Sequence, residues 1–290
     1  MNTSTAAMTG TAARGQWREM LSDHPGLMTG ALVLVMMMLA AALAPWIAPT
    51  DPLKLSPLDR LQVPGREFWF GADLIGRDVF SRTVYGARVS LLVGCGVALL
   101  AVSAGLVIGM LSGFVRALDN VLMRIMDGLM AIPSILLAVA LIALTGAGLG
   151  NVIIAISIAE VPRVARLVRS LTLSLRQQPF VEAAVIAGTP FPRLMIYHVL
   201  PNTLPPLLVQ ASYIFAAAVL TESILSFIGA GTPPSIPSWG NIMADGRSVF
   251  HLAPHIVLFP GLALSLTVLA VNLVGDGLRD VLDPRFVKTR

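Results

Sequence analysis

One carboxylate interrupts an otherwise apolar run of this 290-residue sequence: Glu222, in the stretch LTESILSF. An ionisable side chain at membrane depth is costly, so its presence indicates a function by default. We therefore predict that Glu222 lines a translocation path or marks a break in a helix. Ser226, four residues further on, and Met123 and Asp127, in an earlier apolar run, are predicted to belong to the same path.

Other ionisable positions favour a structural explanation. Arg124 and Asp127 stand three residues apart, so a helix would place them on one face, where they can pair with each other. Glu160 precedes Pro162 and Arg163 and is expected close to the membrane interface. For these residues we favour pairing within the chain over a role in transport.

A metal site is disfavoured by the histidine spacing. His251 and His255 are four residues apart, as two ligands on one helical face would be, but Pro254 lies between them. The proline indicates a boundary between a loop and a helix. We therefore expect no bound metal.

The sequence also lacks the common catalytic signatures. Its two lysines, Lys54 and Lys288, follow Leu53 and Val287 and not glycine, so the phosphate-binding loop GxxxxGK[ST] cannot occur. HExxH and GxSxG are absent as well. We expect a protein that is not an enzyme and binds no cofactor itself.

The composition indicates which elements must position these residues. Charged residues make up 12% of the sequence and hydrophobic residues 56%, whereas soluble domains carry roughly 25% charged residues. Six apolar runs can each cross a hydrocarbon core of about 30 Å: residues 27–47, 89–115, 121–144, 151–171, 207–228 and 255–274. We predict an all-α polytopic membrane protein with six transmembrane helices, kinked at Pro133, Pro162 and Pro260.

The predicted transmembrane helices divide the chain into consecutive parts. It predicts a cytoplasmic N-terminal tail at 1–26, a first transmembrane helix at 27–48, an extracytoplasmic loop at 49–88, a five-helix core at 89–280 and a cytoplasmic C-terminal tail at 281–290. A signal peptide cleaved after residues 42–44 is a weaker explanation of the first run, which exceeds the usual length of such a segment.

The basic residues favour a cytoplasmic location for both termini. Twelve lie on the predicted side of the termini: Arg14, Arg18, Arg116, Arg163, Arg166, Arg169, Arg176, Arg193, Arg279, Arg285, Lys288 and Arg290. Six lie in the predicted outer loop, so the bias is present but incomplete. The net charge of +4 comes mostly from arginines between spans, and we expect no nucleic-acid partner.

A ridge of glycines marks the second run. Gly105, Gly109 and Gly113 are spaced by four, which lets another helix approach closely. The partner helix can belong to this chain or to a second subunit, and glycine spacing does not separate the two.

The segment EAAVIAGTPFPRLMIYHVLPN, residues 182–202, is too interrupted to cross a membrane. Residues 180–187 predict a short helix with Glu182 in its first turn, and Gly188 can end that helix in the left-handed conformation.

A second short helix is predicted to follow at once. Thr189 and Pro190 have the residue types of a cap and a first helical position, Pro201 should stop the helix, and Asn202 can cap the next span. The result is a compact cytoplasmic pair of helices between spans four and five. A connector lying on the lipid interface explains the same spacing equally well.

This segment resembles the EAA loop of permease subunits in binding-protein-dependent ABC importers. The residues that carry the resemblance, and that it implies form the contact with the ATPase, are Glu182, Ala183, Ala184, Gly188, His198, Leu200, Pro201 and Asn202. The resemblance implies that Glu182 makes a polar contact with the ATPase and that Gly188 forms the turn. It also implies that the small residues Ala183 and Ala184 let the ATPase approach closely. The ending HVLPN is typical of the peptide/nickel branch.

Further stretches resemble the second of the two permeases in that branch. They are FGADLIGRDVFSRTVYGARVSL (70–91), MRIMDGLMAIP (123–133), LTESILSFIGAG (220–231), PSWGNIMADGR (237–247) and GDGLRDVLDPR (275–285). Ala72 replaces a threonine that is common there. The resemblance covers most of the chain and implies a type I ABC importer permease fold.

The resemblance also implies partners. These are a second homologous permease, one or two cytoplasmic ABC ATPase subunits that bind ATP and Mg, and an extracytoplasmic binding protein that delivers peptide-like cargo. The chain would be a multi-pass protein of the bacterial inner membrane, in contact with the lipid bilayer. Trp239 and Arg247, on the predicted outer side, are candidate contacts for the binding protein.

Two other classes remain as alternatives. A secondary transporter or channel can use six spans and buried charges as well, with residues 182–202 as an interfacial connector. A membrane-embedded enzyme is less favoured, since no catalytic cluster is recognisable.

Overall fold

The computed structural model describes residues 25–282. Its helices are α1 (Pro25–Ala42), α2 (Ala44–Ile47), α3 (Val79–Phe114), α4 (Arg116–Met130), α5 (Ser134–Thr145), α6 (Leu149–Arg176), α7 (Pro179–Ile186), α8 (Phe191–Leu194), α9 (Leu200–Phe227), α10 (Trp239–Gly246) and α11 (His255–Leu282). A π-helical turn, Met195–Val199, joins α8 to α9. The all-α prediction is confirmed, while the predicted tails at 1–26 and 281–290 lie almost wholly outside the described residues.

Not every predicted span has the same apolar character. By length and composition, α1, α3, the continuous stretch Phe191–Phe227 and α11 can each cross a membrane, and the bent pair α4 and α5 makes a fifth span if it counts as one. Helix α6 is not among them, because Glu160, Arg163 and Arg166 fall close together within it. Six passes therefore stay a prediction.

The third predicted span, 121–144, is not one straight helix. Helices α4 and α5 meet at an angle of 92°. Pro133 lies between them with φ −52° and ψ 131°, outside the helical region, and it has no N–H to continue the hydrogen-bond ladder. The 12 residues of α5 extend only about 18 Å, less than the hydrocarbon core of a bilayer. The prediction of a mere kink was wrong here.

Helix α3 begins ten residues earlier than the sequence predicted. The Asp78 carboxylate accepts hydrogen bonds from the backbone N–H groups of Phe80 and Ser81 and so caps the helix. The first loop therefore ends at residue 78 and not at 88. The 36 residues of α3 give a rod of about 54 Å, the longest uninterrupted α-helix of the described chain.

The glycine ridge of α3 packs against α6 of the same chain. A Cβ at Gly105 would lie 2.4 Å from Cβ of Val164, one at Gly109 would lie 2.6 Å from the Ala165 carbonyl oxygen, and one at Gly113 would meet Thr172. The core continues through Val97, Val152 and Ile214, which bring in α9. The structure thus assigns this close approach to packing within the chain.

The two ends of the bundle carry different connections. We call the end formed by residues 48–78 and 229–254 the loop end, and the end formed by residues 177–199 the EAA end. Contacts of α10 with the start of α3 define the first, and contacts of α7 and α8 with the end of α3 define the second.

Candidate functional site

The EAA end begins with the predicted short helix and glycine turn. Gly188 has φ +76°, in the left-handed region that favours glycine. Its N–H donates to the Val185 carbonyl at 3.0 Å, and the N–H of Thr189 donates to the Ala184 carbonyl at 3.1 Å. This pair of bonds is a Schellman motif, which satisfies the last carbonyls of α7. The prediction for α7 and Gly188 is confirmed.

The second half of the EAA end differs from the prediction. Pro190 and not Thr189 precedes the next helix, and the chain runs on as a helix from Phe191 to Phe227. Pro201 does not stop it: it lies just after a π-helical turn, and the helix continues past it although Pro201 has no N–H to donate.

A π-helical turn accommodates this continuity. The N–H of Leu200 donates to the Met195 carbonyl, five residues back. The side-chain amide of Asn202 donates to the His198 carbonyl at 2.7 Å, so Asn202 satisfies a carbonyl of the preceding turn and does not cap a new helix. The predicted stop at Pro201 and cap at Asn202 were wrong.

The inner face of the EAA end is attached to the transmembrane bundle by apolar packing. Val181, Ala184, Leu194, Met195 and Val199 are buried against the ends of α3 and α6. Because Ala184 faces inward, it allows close approach of α7 to this chain's own helices, which corrects its predicted role in approaching an ATPase. Glu182 and Ala183, on the opposite side of α7, are exposed.

The outer face of the EAA end carries exposed apolar side chains. Ile186 is 87% exposed, and Val185, Phe191, Ile196 and Tyr197 are exposed around the same turn. Exposed apolar groups gathered in one place, with charged residues beside them, mark interaction sites. We call these five residues the handle face. Of the remaining predicted contacts, His198 and Leu200 are half-buried, whereas Pro201 and Asn202 are exposed.

The predicted path residues lie in two separate places. Glu222 is fully buried, and its Oε1 accepts a hydrogen bond from Ser226 Oγ at 2.7 Å. Thr232 and Asn241 complete this polar cluster, with Asn241 Nδ2 donating to Thr232 Oγ1 at 3.0 Å. Glu222 therefore connects α9 to the loop that follows it and faces the interior of this chain. A role in the path stays a prediction for both residues.

Asp127 pairs across helices and not along its own. Its carboxylate lies 2.6 Å from Arg166 of α6, so the predicted pair with Arg124 was wrong. Packing of α4 against α6 also brings Asp119 against Arg169 with two hydrogen bonds, at 2.5 and 2.7 Å. Met123, on the same helix, is half-buried, and its path role is likewise untested.

Glu160 is buried and lies 3.1 Å from Arg163, one turn further on. The structural pairing favoured from the sequence is confirmed for these two residues.

At the loop end, the two candidate contacts for a binding protein differ in exposure. The Trp239 side chain is fully buried, and its Nε1 donates to the Thr83 carbonyl at 3.0 Å. It anchors α10 to α3 and is not available to a partner, which corrects the prediction. Arg247 is exposed beside Phe227 and stays a candidate.

The histidine pair shows no metal-binding geometry. His255 is the first residue of α11, and His251 is exposed in the preceding turn, which confirms the predicted boundary. Among residues 25–282, no three His, Cys, Asp or Glu side chains come together as metal ligands would.

Sequence reasoning missed an ion network at the loop end. Asp73 lies 2.6 Å from both Arg77 and Arg82, and Asp245 lies 2.6 Å from Arg77 and 2.9 Å from Arg82. Asp73 and Arg82 are both inaccessible to solvent. The mixed charges of the first loop could have indicated ion pairs within that loop. The pairing with Asp245 could not be read from the sequence, because Asp245 is 168 residues away from Arg77.

Comparison with known proteins identifies the family. Residues 105–288 match the family described as binding-protein-dependent transport system inner membrane component, and residues 15–64 match the N-terminal transmembrane domain of oligopeptide transport permease C. The first match covers more than half of the chain. The chain belongs to the family of binding-protein-dependent transport system inner membrane components.

Relatives match over nearly the whole chain. A probable peptide ABC transporter permease of Sinorhizobium fredii is 52% identical over 92% of this chain and 91% of its own. A dipeptide transport permease of Alkalihalophilus pseudofirmus is 42% identical, covering 93% and 90%. A glutathione transport permease of Escherichia coli is 41% identical, covering 93% and 89%.

A solved structure supports the fold. A chain of the methionine ABC transporter MetNI, in an inward-facing conformation, matches with a TM-score of 0.58 at 21% identity, covering 70% of this chain and 97% of that chain. The protein has the type I ABC importer permease fold and is a multi-pass protein of the inner membrane.

Proposed function

We propose that this chain is the second permease subunit of an ATP-driven importer for peptides or peptide-like small molecules. The handle face carries the proposal: its apolar side chains are exposed although the same helices bury their other side in the bundle. Such a surface fits a protein partner that covers it. The cargo class is suggested by relatives named for peptide, dipeptide and glutathione transport.

The proposal assigns the partners to the two ends. Cytoplasmic ATPase subunits, which bind ATP and Mg, cover the handle face at the EAA end. A binding protein delivers cargo at the loop end, and a second, homologous permease completes the path. Both termini then lie in the cytoplasm. This chain supplies no cofactor or catalytic group in the proposal.

Coupling requires two discrete states of the complex that ATP biases differently. ATP-dependent closure of the ATPases would move α7 and α8, and the π-helical turn connects this movement directly to α9. Glu182 and Ala183, exposed on α7, are placed for the polar and close contacts with the ATPase. A secondary transporter needs no such handle, and family membership does not favour one.

Purification tests the assembly. The tagged chain, extracted in mild detergent, should bring down an ATPase and a second permease in stoichiometric amounts. A chain that purifies without them and still transports cargo would contradict the proposal.

Gly188→Val tests the coupling. A β-branched residue at φ +76° costs about 1–2 kcal/mol in backbone strain, so the Schellman turn should shift and misplace the handle face. We expect ATP-driven uptake to fall about five- to 30-fold, an estimate from a shift of that size, while membrane insertion and basal ATP hydrolysis persist.

Gly188→Asn is the matched control, because asparagine tolerates the left-handed region. Beyond the two neighbouring residues, no atom of the described chain lies within 4 Å of the Cβ position at residue 188, so side-chain bulk alone should do no harm. Normal cargo-stimulated ATP hydrolysis and uptake in Gly188→Val would contradict a role of the Gly188 turn in coupling.

A further inference from the structure

A groove on the bundle, separate from the handle face, has the composition of a cargo site. It has a volume of about 680 Å³ and lies between α6, α9 and α11, where Leu167, Gln210 and Arg279 mark its three walls. Small-molecule sites occupy roughly 300–1,000 Å³, so the groove has room for a short peptide.

One wall of the groove is formed by residues whose backbone carbonyls lack their usual helical partners. Pro205 and Pro206 lie inside α9 and have no N–H. The carbonyls of Pro201 and Asn202, four residues before them, therefore lose their usual helical partner, and both residues line the groove. Carbonyls without an N–H partner are suited to accept hydrogen bonds from the N–H groups of a peptide or from an ammonium group.

Side chains of both charges lie at the site: Arg279 is part of its lining, and Asp276 lies beside it in contact with a lining residue. Tyr213, midway along α9, lines the groove and donates its hydroxyl hydrogen to Asp276 Oδ1 at 2.6 Å. Arg279, three residues after Asp276, lines the groove as well. A carboxylate can bind an ammonium group, and a guanidinium can bind a carboxylate through two parallel hydrogen bonds.

These groups are poorly suited to face lipid. Gln210, Tyr213, Asp276 and Arg279 lie on spanning helices and remain partly or fully accessible in this chain. Polar groups on a spanning helix face a water-filled cavity or protein because hydrocarbon leaves them without partners. We therefore expect the groove to face water or protein and not lipid.

We propose that this groove is a cargo subsite on the EAA side of the translocation path, which binds the termini and backbone of short, zwitterionic peptides. Arg279 holds the C-terminal carboxylate, Asp276, oriented by Tyr213, holds the N-terminal ammonium, and the carbonyls of Pro201 and Asn202 accept backbone N–H groups. This inference rests on the proposed function of the chain as a peptide permease.

Direct binding to the assembled complex tests the subsite. The permease and ATPase complex, placed in nanodiscs without the binding protein, is titrated with radiolabelled dialanine, dialanine amide and N-acetyl-dialanine. We expect saturable binding of dialanine and weaker binding of both blocked forms. Arg279→Gln should weaken dialanine binding about tenfold, as expected for a lost charge-assisted hydrogen bond, and leave dialanine amide unchanged.

One further groove variant and one control variant complete the test. Tyr213→Phe removes only the hydroxyl that orients Asp276 and should reduce the preference for dialanine over its N-acetyl form; it also serves if Arg279→Gln does not assemble. Asp280→Asn is the matched control. Asp280 is exposed on α11 as Asp276 is, but only Asp276 accepts a hydrogen bond from the lining residue Tyr213, so Asp280→Asn should bind all three probes as the wild type does.

The outcomes separate this inference from the proposed function. Uptake of dialanine by the wild-type complex with its binding protein tests the peptide cargo, and a failure there overturns the proposed function. If uptake occurs but the complex binds no dialanine saturably, or both groove variants bind all probes as the wild type does, the subsite is overturned alone.

Discussion

The loop end and the EAA end differ in how they hold charged groups, although both expose apolar side chains, among them Leu58 and Leu252 at the loop end. At the loop end, Asp73 and Arg82 are buried and paired, and the large Trp239 ring is covered completely. At the EAA end, Ile186 and Tyr197 stand exposed. The buried ion network stabilises the loop end from within this chain, whereas residues 177–199 at the EAA end form no ion pair within the described part of the chain and are attached to the bundle by apolar packing. Substitutions at the loop end should therefore affect stability first, and those on the handle face should affect assembly first.

Arg82→Ala should have the largest effect. It leaves the buried Asp73 carboxylate with one arginine fewer, and breaking a buried ion pair costs about 3–5 kcal/mol. We expect a clear fall in the melting temperature of the purified protein, measured by thermal unfolding in detergent. Arg88→Ala is the matched control because Arg88 is exposed on the same helix. Equal melting temperatures for the two variants would mean that the ion network does not stabilise the loop end.

Ile186→Ala should have a smaller effect, and a different one. Ile186 makes little contact within the chain, so the melting temperature of the isolated protein should stay unchanged. Removing a buried apolar anchor from an interface costs about 1–3 kcal/mol, so affinity for the ATPase should fall about five- to 150-fold. Binding of the ATPase to the permease in nanodiscs measures this directly.

Leu58→Ala is the control for that measurement. Leu58 is 98% exposed at the loop end, against 87% for Ile186 at the EAA end. Equal losses of ATPase affinity in the two variants would remove the distinction between the ends.

Glu222→Gln should have the smallest effect. Glutamine keeps the shape of the side chain and the acceptor for Ser226 Oγ, and complete burial argues against direct contact with cargo. We expect a stability change below about 1 kcal/mol, the size of one neutral hydrogen bond, and uptake close to the wild type. An altered preference among dipeptides would instead support the predicted path role of Glu222.

The sequence predicted local features better than those set by distant contacts. The helix ending at Gly188 could be predicted because a glycine followed by a proline specifies the turn locally. The continuation of the helix through Pro201 could not be predicted, because a proline near the start of a helix and a proline after its end look alike in sequence. The structure shows that the helix continues, through a π-helical turn just before Pro201.

Charge patterns had the same limit. Arg82 favoured a loop because an unpaired arginine is unfavourable inside a bundle. Its burial is tolerable because it pairs with Asp73, nine residues before it, and with Asp245, far along the chain. The glycine ridge of α3 specified close helix packing but not the partner. The structure supplies that partner as α6.

The continuous helical stretch Phe191–Phe227, which includes the π-helical turn, connects the EAA end to the loop end. Its 37 residues span about 55 Å at 1.5 Å per residue. A rod of that length that pivots by about 5° at the EAA end displaces its far end by about 5 Å, by the same geometry. That far end carries Glu222 and the loop packed on it. A stop at Pro201 would have placed a flexible joint at the base of this lever and absorbed a rotation that the continuous helix instead transmits.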